Sequence, residues 1–289
     1  EHAGKGQRGL CASWPQAGVP LGLLASAGAV AAFQSSLSPE DYLRWGWRAP
    51  FYLSGLLIVV GLLIRIRILE TPLFTRLKEQ NQVAEAPIRE TLVRHWREIL
   101  LVAGARIAEN ACFYLFTAYA VSYGKDVLHL EAGVILRGVY IAAAIEFFTI
   151  PLFGMLSDHF SRRHTYMAGC GFLAIFALPF FALLETRDPD LIVLAICLAL
   201  NSGHAILYSV QASLIPELFG TRLRYTGASI GYQLAAPLAG GLAPLIATWL
   251  VRQFPGQYWP LAAYIMGMSV LSLACVWWLA ETSRKNISD

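Results

Sequence analysis

The chain has 289 residues, of which 56% are hydrophobic and only 14% are charged, and its mean hydropathy is +0.53. A soluble domain is about 25% charged on average, so this much apolar surface indicates a lipid environment rather than one soluble core. The net charge of +3 is small, and no segment combines basic charge with interleaved aromatic residues, which argues against nucleic-acid binding. The five cysteines are widely spaced, and the sequence predicts no disulfide framework, no metal site and no cofactor.

Eight apolar stretches are long enough to cross a bilayer, which takes about 20 residues in a helix. They cover residues 13–34, 49–68, 99–123, 133–156, 165–184, 191–215, 225–251 and 259–280. None of them shows the apolar and polar alternation of a membrane β-barrel strand. The predicted fold class is therefore an all-α membrane protein with eight spans.

The basic residues predict the orientation of these spans. Fifteen of the 22 Lys and Arg residues fall on one side of the predicted membrane and six on the other, while Arg106 lies inside the third span. The more positive side is cytoplasmic by the positive-inside rule, and both chain ends lie there. The longest connection, 69–98, is polar and is a natural domain boundary; the stretch that follows, 89–99, is amphipathic and is expected to lie along the membrane surface.

A charged loop, GMLSDHFSRRH at 154–164, joins the fourth and fifth spans. Its residues Gly154, Leu156, Ser157, Asp158, Arg162 and Arg163 fit the pattern G-x-L-[SA]-D-x-x-x-R-R. This pattern resembles the cytoplasmic-loop signature of the major facilitator superfamily of transporters. Two positions depart from it, because His159 and Ser161 stand where the family usually has Arg and Gly.

Five further segments resemble the metabolite:proton symporter group of that superfamily, and the last three resemble its shikimate-transporter-like branch. They lie at 45–55, 70–74, 104–110, 144–154 and 217–233. Known members of the group move proline and betaine, oxoglutarate, citrate or shikimate. The resemblance implies a twelve-helix bundle of which eight helices are present, and it predicts a fragment lacking the first four. Residues 1–68 are then the last two helices of the N-terminal half, 69–98 the cytoplasmic inter-domain loop and 99–289 the C-terminal six-helix half.

The resemblance also implies that Gly154, Asp158, Arg162 and Arg163 form a conformational gate. Glycine permits a close approach between helices, and the Asp158 carboxylate can accept hydrogen bonds from a helix N-terminus across the seam between the two halves. The alternative is a topogenic loop, in which basic residues only fix the orientation.

Polar residues at membrane depth are the candidate binding residues, since each costs several kcal/mol unless it is paired or hydrated. In the third span, Arg106, Glu109 and Asn110 share one helical face, which continues to Tyr114. A guanidinium pairs bidentately with a carboxylate, so Arg106 is expected to hold a carboxylate of the substrate. The alternative is an internal pair between Arg106 and Glu109.

Other spans add candidates of the same kind. Asn201, His204, Tyr208 and Gln211 form one stripe along the sixth span and are expected to line the site, as is Gln233 in the seventh. Glu146 in the fourth span and His204 are the candidate proton-coupling residues, because histidine changes its charge near neutral pH. The alternative for Glu146 is a pair with Arg106, and the alternative for the stripe in the sixth span is a packing role.

The sequence therefore predicts a proton-coupled symporter that moves a small organic acid by alternating access. It is expected to be a multi-pass monomer of the bacterial inner membrane, with the lipid bilayer, the substrate and a proton as its partners. No catalytic motif such as H-E-x-x-H or a nucleophile elbow is present, so an enzyme is the less favoured alternative. A membrane sensor or a non-transporting truncated homologue is the other.

Overall fold

The computed structural model describes residues 3–4, 6–67, 75, 78–80 and 86–283. Eight helices in these ranges are long and apolar enough to cross a membrane, and they are numbered α1 to α8 in chain order. Their bounds are Arg8–Ser36, Gly46–Arg67, Trp96–Asp126, Ala132–His159, Arg162–Glu185, Pro189–Leu218, Arg224–Gln253 and Trp259–Trp278. The described residues contain no strand, and the predicted all-α membrane fold is confirmed.

Two of these helices, α5 and α6, start at a residue whose side chain caps the first turn. Asp188 precedes α6, and its Oδ1 accepts from the backbone N–H of Asp190 at 2.9 Å and of Leu191 at 3.2 Å. Ser161 precedes α5 in the same way and accepts from the N–H of His164 at 3.2 Å. Such side chains satisfy backbone donors that a first helical turn leaves without partners.

Helices α3 to α8 form the core of the bundle, in which α8 packs between α3 and α5. The Ser272 hydroxyl of α8 donates to the Gly104 carbonyl of α3 at 2.8 Å and accepts from the Ala108 N–H at 2.9 Å. Tyr166 of α5 donates to the Ala105 carbonyl at 3.0 Å. Helix α1 packs against α4 and α6, whereas α2 contributes no buried residue beyond Gly46 at its start.

Three of the long helices contain a π-helical turn. The turns are Leu115–Tyr119 in α3, Leu200–His204 in α6 and Ala236–Gly241 in α7. At two of these turns a side chain competes with backbone N–H groups for a helix carbonyl. Thr117 donates to the Phe113 carbonyl at 2.6 Å, and Asn201 donates to the Cys197 carbonyl at 3.1 Å. Turns of this kind change the helical phase and occur frequently at functional sites.

Much of the predicted inter-domain loop, including the segment 70–74, lies outside the described residues. The described part contains a short helix, Pro87–Arg94, which exposes Ile88, Leu92 and Val93. Its Glu90 pairs with Arg222 at 3.1 Å, which ties it to the connection between α6 and α7. The division at 69–98 stays a prediction.

Candidate functional site

The guanidinium of Arg106 is at the centre of a buried polar cluster. Its Nη2 lies 2.9 Å from Glu109 Oε2, one turn further along α3. Its Nε donates to Gln211 Oε1 of α6 at 3.1 Å, and its Nη1 donates to the backbone carbonyl of Tyr232 of α7 at 3.3 Å. The Tyr232 ring also lies under the guanidinium, 3.8 Å from its Cζ atom, so Arg106 joins three helices.

His204 connects Glu109 to a second buried carboxylate. Its Nδ1 lies 2.7 Å from Glu146 Oε1 of α4, and its Nε2 lies 3.5 Å from Glu109 Oε1. Because a carboxylate faces each ring nitrogen, the two carboxylates favour the doubly protonated, cationic ring. We call Arg106, Glu109, His204 and Glu146 the central ion chain; all four are buried.

Aromatic rings enclose His204 on its faces. The Tyr208 ring stacks on the imidazole with centroids 5.1 Å apart and an interplanar angle of 19°, and the Phe113 ring lies 5.0 Å away on a tilt of 37°. A cavity of about 230 Å³ opens beside these groups. Its lining residues are Val19, Arg106, Glu109, Asn110, Phe113, Tyr114, His204 and Tyr208.

The structure brings most of the predicted site residues together. Six of them line the cavity: Arg106, Glu109, Asn110, Tyr114, His204 and Tyr208. Gln211 and Glu146 do not line it but contact lining residues, Gln211 through Arg106 and Glu146 through His204. Asn201 instead joins helices, since it donates to the Ala142 carbonyl at 3.1 Å and accepts from the Thr149 hydroxyl at 2.9 Å. Gln233 is exposed on α7 and does not line the cavity.

Tyr232 is the contact residue that the sequence analysis missed. It is the neighbour of Gln233, whose amide is the more obvious hydrogen-bonding side chain in α7. Tyr232 contacts Arg106 through the face of its ring and its backbone carbonyl. Its aromatic ring was the available signal, because arginine stacks on aromatic faces.

The segment predicted as a charged loop, 154–164, forms the end of α4 and the start of α5. It lies against the N-terminus of α1. Asp158 Oδ1 accepts from the Gly9 N–H at 2.7 Å, and Oδ2 accepts from the Leu10 N–H at 3.0 Å. A Cβ atom at Gly9 would lie 2.4 Å from the Gly154 carbonyl oxygen, and one at Gly154 would lie 2.4 Å from Ser13 Oγ. The contact between α1 and α4 therefore requires glycine on both sides.

Further ion pairs extend from Asp158. Arg162 Nη2 lies 3.2 Å from Asp158 Oδ1, and Arg162 Nε lies 3.1 Å from Glu217 Oε2 at the end of α6. Arg8 of α1 approaches the other oxygen of Glu217 at 3.7 Å. We call Arg8, Asp158, Arg162 and Glu217 the seam network, because it joins α1 to α4, α5 and α6.

Arg163 faces a different neighbour. It donates to the Trp277 and Leu279 carbonyls at the end of α8, at 3.5 and 3.4 Å. Glu281 binds the start of α5 in return, accepting from the Arg163 N–H at 3.1 Å and from the Ser161 hydroxyl. Partial burial raises the pKa of Glu281, but the hydrogen bonds from Ser161 and from backbone N–H groups outweigh burial and lower the pKa to about 2.

Comparison with known proteins identifies the family. The family model described as Major Facilitator Superfamily matches residues 1–232 and 147–288, which together cover nearly the whole chain. The chain belongs to the Major Facilitator Superfamily. It is a multi-pass membrane protein, and the family resemblance that the loop pattern indicates is confirmed.

Two curated relatives resemble the whole of this chain. The shikimate transporter of Escherichia coli (strain K12) is 31% identical over 286 residues, which are 98% of this chain and 65% of that protein. The glycine betaine/proline/ectoine/pipecolic acid transporter OusA of Dickeya dadantii (strain 3937) is 31% identical over 297 residues, 99% of this chain and 58% of that protein. The chain thus spans less than two thirds of the length of these relatives. They are transporters, which argues against the enzyme alternative.

A solved structure shows the same architecture. The proton:xylose symporter XylE bound to 6-bromo-6-deoxy-D-glucose superposes with a TM-score of 0.76 at 18% sequence identity. The match covers 99% of this chain and 67% of that one. At this identity the likeness shows the fold and no more.

Proposed function

We propose that the protein containing this chain is a proton-coupled symporter for a small carboxylated metabolite and that it works by alternating access. The observation that carries the proposal is the central ion chain at the wall of the cavity. The names of the relatives support a carboxylated substrate, because shikimate, proline, betaine, ectoine and pipecolic acid all bear a carboxylate.

The charge balance of the central ion chain supports coupling to a proton. When His204 is protonated, the two cationic groups cancel the two carboxylates, and an unbalanced charge at membrane depth would cost several kcal/mol. A substrate carboxylate that has no cationic group in the same molecule, such as that of shikimate, adds one negative charge to this neutral cluster. One proton bound to Glu109 or Glu146 restores neutrality, so one proton accompanies each such substrate.

Arg106 is the proposed partner of the substrate carboxylate. In the structure, Glu109 Oε2 accepts hydrogen bonds from the guanidinium of Arg106. A substrate carboxylate can replace Glu109 there, because both offer the same kind of acceptor. The displaced Glu109 then receives a proton from His204, which lies 3.5 Å from its other oxygen. A proton from solution recharges His204, so the cluster gains one proton in total. Asn110, Tyr114, Tyr208 and Gln211 complete the proposed site, from which Asn201 and Gln233 are omitted.

Three of the four predicted gate residues form the proposed gate, and Arg163 is omitted because it binds the end of α8. Gly154, Asp158 and Arg162 hold α1 against α4 and α6, and α1 belongs to the predicted N-terminal half while α4 and α6 belong to the other. Opening of that face must break these contacts. We place this face in the cytoplasm, with both chain ends, and the protein in the bacterial inner membrane as a monomer.

Glu109→Gln tests the coupling, since a glutamine mimics the protonated carboxyl group. The protein containing this chain is reconstituted in liposomes, and uptake of labelled shikimate and proline is driven by an inward proton gradient or an inward sodium gradient. The wild-type protein should accumulate substrate with the proton gradient and lose accumulation when a protonophore is added. Glu109→Gln should still exchange labelled for unlabelled substrate but should not accumulate it.

Gln233→Ala is the matched control, because Gln233 is also polar and in a membrane helix but lies outside the cavity. Its accumulation should equal that of the wild-type protein. Accumulation driven by sodium, or normal proton-driven accumulation by Glu109→Gln, would contradict the proposal. Binding of either substrate without uptake would favour the membrane sensor.

A further inference from the structure

Gly240, in the π-helical turn of α7, lies directly against the cavity-lining residue Tyr114. A Cβ atom at Gly240 would lie 2.8 Å from Tyr114 Cε2 and 3.1 Å from Cδ2. Real Cβ atoms essentially never approach another heavy atom closer than 3.0 Å, so any larger residue requires the ring to move. Asn110 Oδ1, at 3.6 Å from the same position, would be in ordinary contact.

The surroundings of Tyr114 determine where the ring can go. Asn110 is fixed by hydrogen bonds to the Arg106 carbonyl at 3.2 Å and to Glu109 Oε2 at 2.9 Å. Phe113 packs edge-on with ring centroids 5.5 Å apart. The Tyr114 side chain is 43% exposed and lines the cavity of about 230 Å³, so displacement from Gly240 moves the ring into that space.

We infer that Gly240 is a specificity-determining position: because it has no side chain, the Tyr114 ring rests against α7, and this sets the largest carboxylated substrate that the cavity admits. The inference rests on the proposed function, since it takes this cavity to be the substrate site. It concerns only the size of the substrate, and charge balance in the central ion chain is untouched by it.

The chain offers a matched control in the next residue. A Cβ atom at Gly241 would meet no atom within 4 Å. Both glycines lie in the same π-helical turn, and neither has a positive φ, so alanine fits the backbone at both positions. Gly240→Ala and Gly241→Ala therefore gain the same helix propensity and differ in the contact with Tyr114.

The experiment measures uptake of labelled proline, pipecolic acid, ectoine and shikimate, in order of increasing size, by the reconstituted protein. The variants are Gly240→Ala, Gly241→Ala, Tyr114→Ala and the double variant Gly240→Ala with Tyr114→Ala. Gly240→Ala should lower shikimate uptake relative to proline uptake by about tenfold or more, since one methyl group in a pocket changes discrimination by about 10–200-fold. Gly241→Ala should leave the ratio unchanged, and Tyr114→Ala should raise it.

The double variant tests whether Tyr114 transmits the effect. Without the ring, Gly240→Ala should leave the uptake ratio unchanged, and it should change the melting temperature measured in detergent only as much as Gly241→Ala does. Equal ratios for folded Gly240→Ala and Gly241→Ala would overturn the inference and leave the proposed function standing. If Gly240→Ala fails to fold, an unchanged ratio of shikimate to proline uptake in Tyr114→Ala overturns the inference. Uptake of none of the four compounds by the wild-type protein would contradict the proposed function itself, and with it the inference.

Discussion

The central ion chain is buried, the seam network is buried except at Arg8, and both alternate positive and negative side chains. They differ in the groups that they connect. The central ion chain includes a histidine and borders a cavity, whereas the seam network contains only Arg, Asp and Glu and binds the backbone N–H groups of α1. Histidine alone among these residue types ordinarily changes charge near neutral pH. Under the proposed function, the central ion chain exchanges partners and protons, while the seam network only forms or breaks.

The largest expected effect is at Arg106. Arg106→Ala leaves the Glu109 charge buried without its guanidinium, and breaking a buried pair costs about 3–5 kcal/mol. The yield of folded protein, measured by size-exclusion chromatography, should collapse. The double variant Arg106→Ala with Glu109→Ala should recover the yield, because it removes both charges, but it should not bind labelled shikimate or proline.

This double variant also tests the comparison between the two networks. Normal substrate affinity in the well-folded double variant would make the central ion chain a scaffold, equivalent to the seam network, and would leave Arg106 without a role in binding. Gln233→Ala, outside the cavity, controls for nonspecific loss of binding.

A smaller effect is expected at the seam. Asp158→Asn weakens the contact with the N-terminus of α1, and a charge at such a terminus contributes about 0.3–2 kcal/mol, or a two- to thirtyfold change in population. Ser13 is fully buried beside Gly154, so Ser13→Cys in a Cys11→Ser background reports opening. Its labelling rate by a maleimide should rise by that factor.

Asp188→Asn provides the control for the seam, because Asp188 also accepts two backbone N–H groups, at the start of α6 itself. It should leave the labelling of Ser13→Cys unchanged. An equal increase for both variants would show that Asp158 has no special part in holding the seam closed.

The smallest effect is expected at Glu281, which joins α5 and α8 inside one predicted half. Its pKa of about 2 lies below its ordinary value of 4.5, so its stabilising contribution is complete above pH 4.5 and is lost as the pH falls to about 2. The residue is exposed, and Glu281→Gln should cost less than about 1 kcal/mol. Thermal unfolding at neutral pH should show this deficit, and at about pH 2 the two proteins should unfold alike.

Glu131→Gln is the control for Glu281, since Glu131 precedes α4 but its side chain makes no cap bond. It should unfold like the wild-type protein at every pH. Altered transport by Glu281→Gln would show that the contact of Glu281 with the start of α5 takes part in gating. The contrast between this contact and the seam network would then no longer hold.

The sequence predicts the eight helices well, because length and apolarity alone determine a membrane span. It also predicts the shared face of Arg106, Glu109 and Asn110, since these residues precede any irregular turn in α3. Asn201 shows where this reasoning stops. Its stripe assumes one helical period, but the π-helical turn Leu200–His204 changes the phase and leaves Asn201 against the α4 backbone.

Helix α4 is continuous from Ala132 to His159 and carries Glu146 at the cavity and Asp158 at the seam. Twelve residues of helix separate them by about 18 Å. If closing the seam changes the affinity of the cavity for a proton, thermodynamic linkage requires that the proton change seam closure by the same factor. A probe near Asp158 would then act as a remote indicator of the protonation of Glu146, whose side chain is buried.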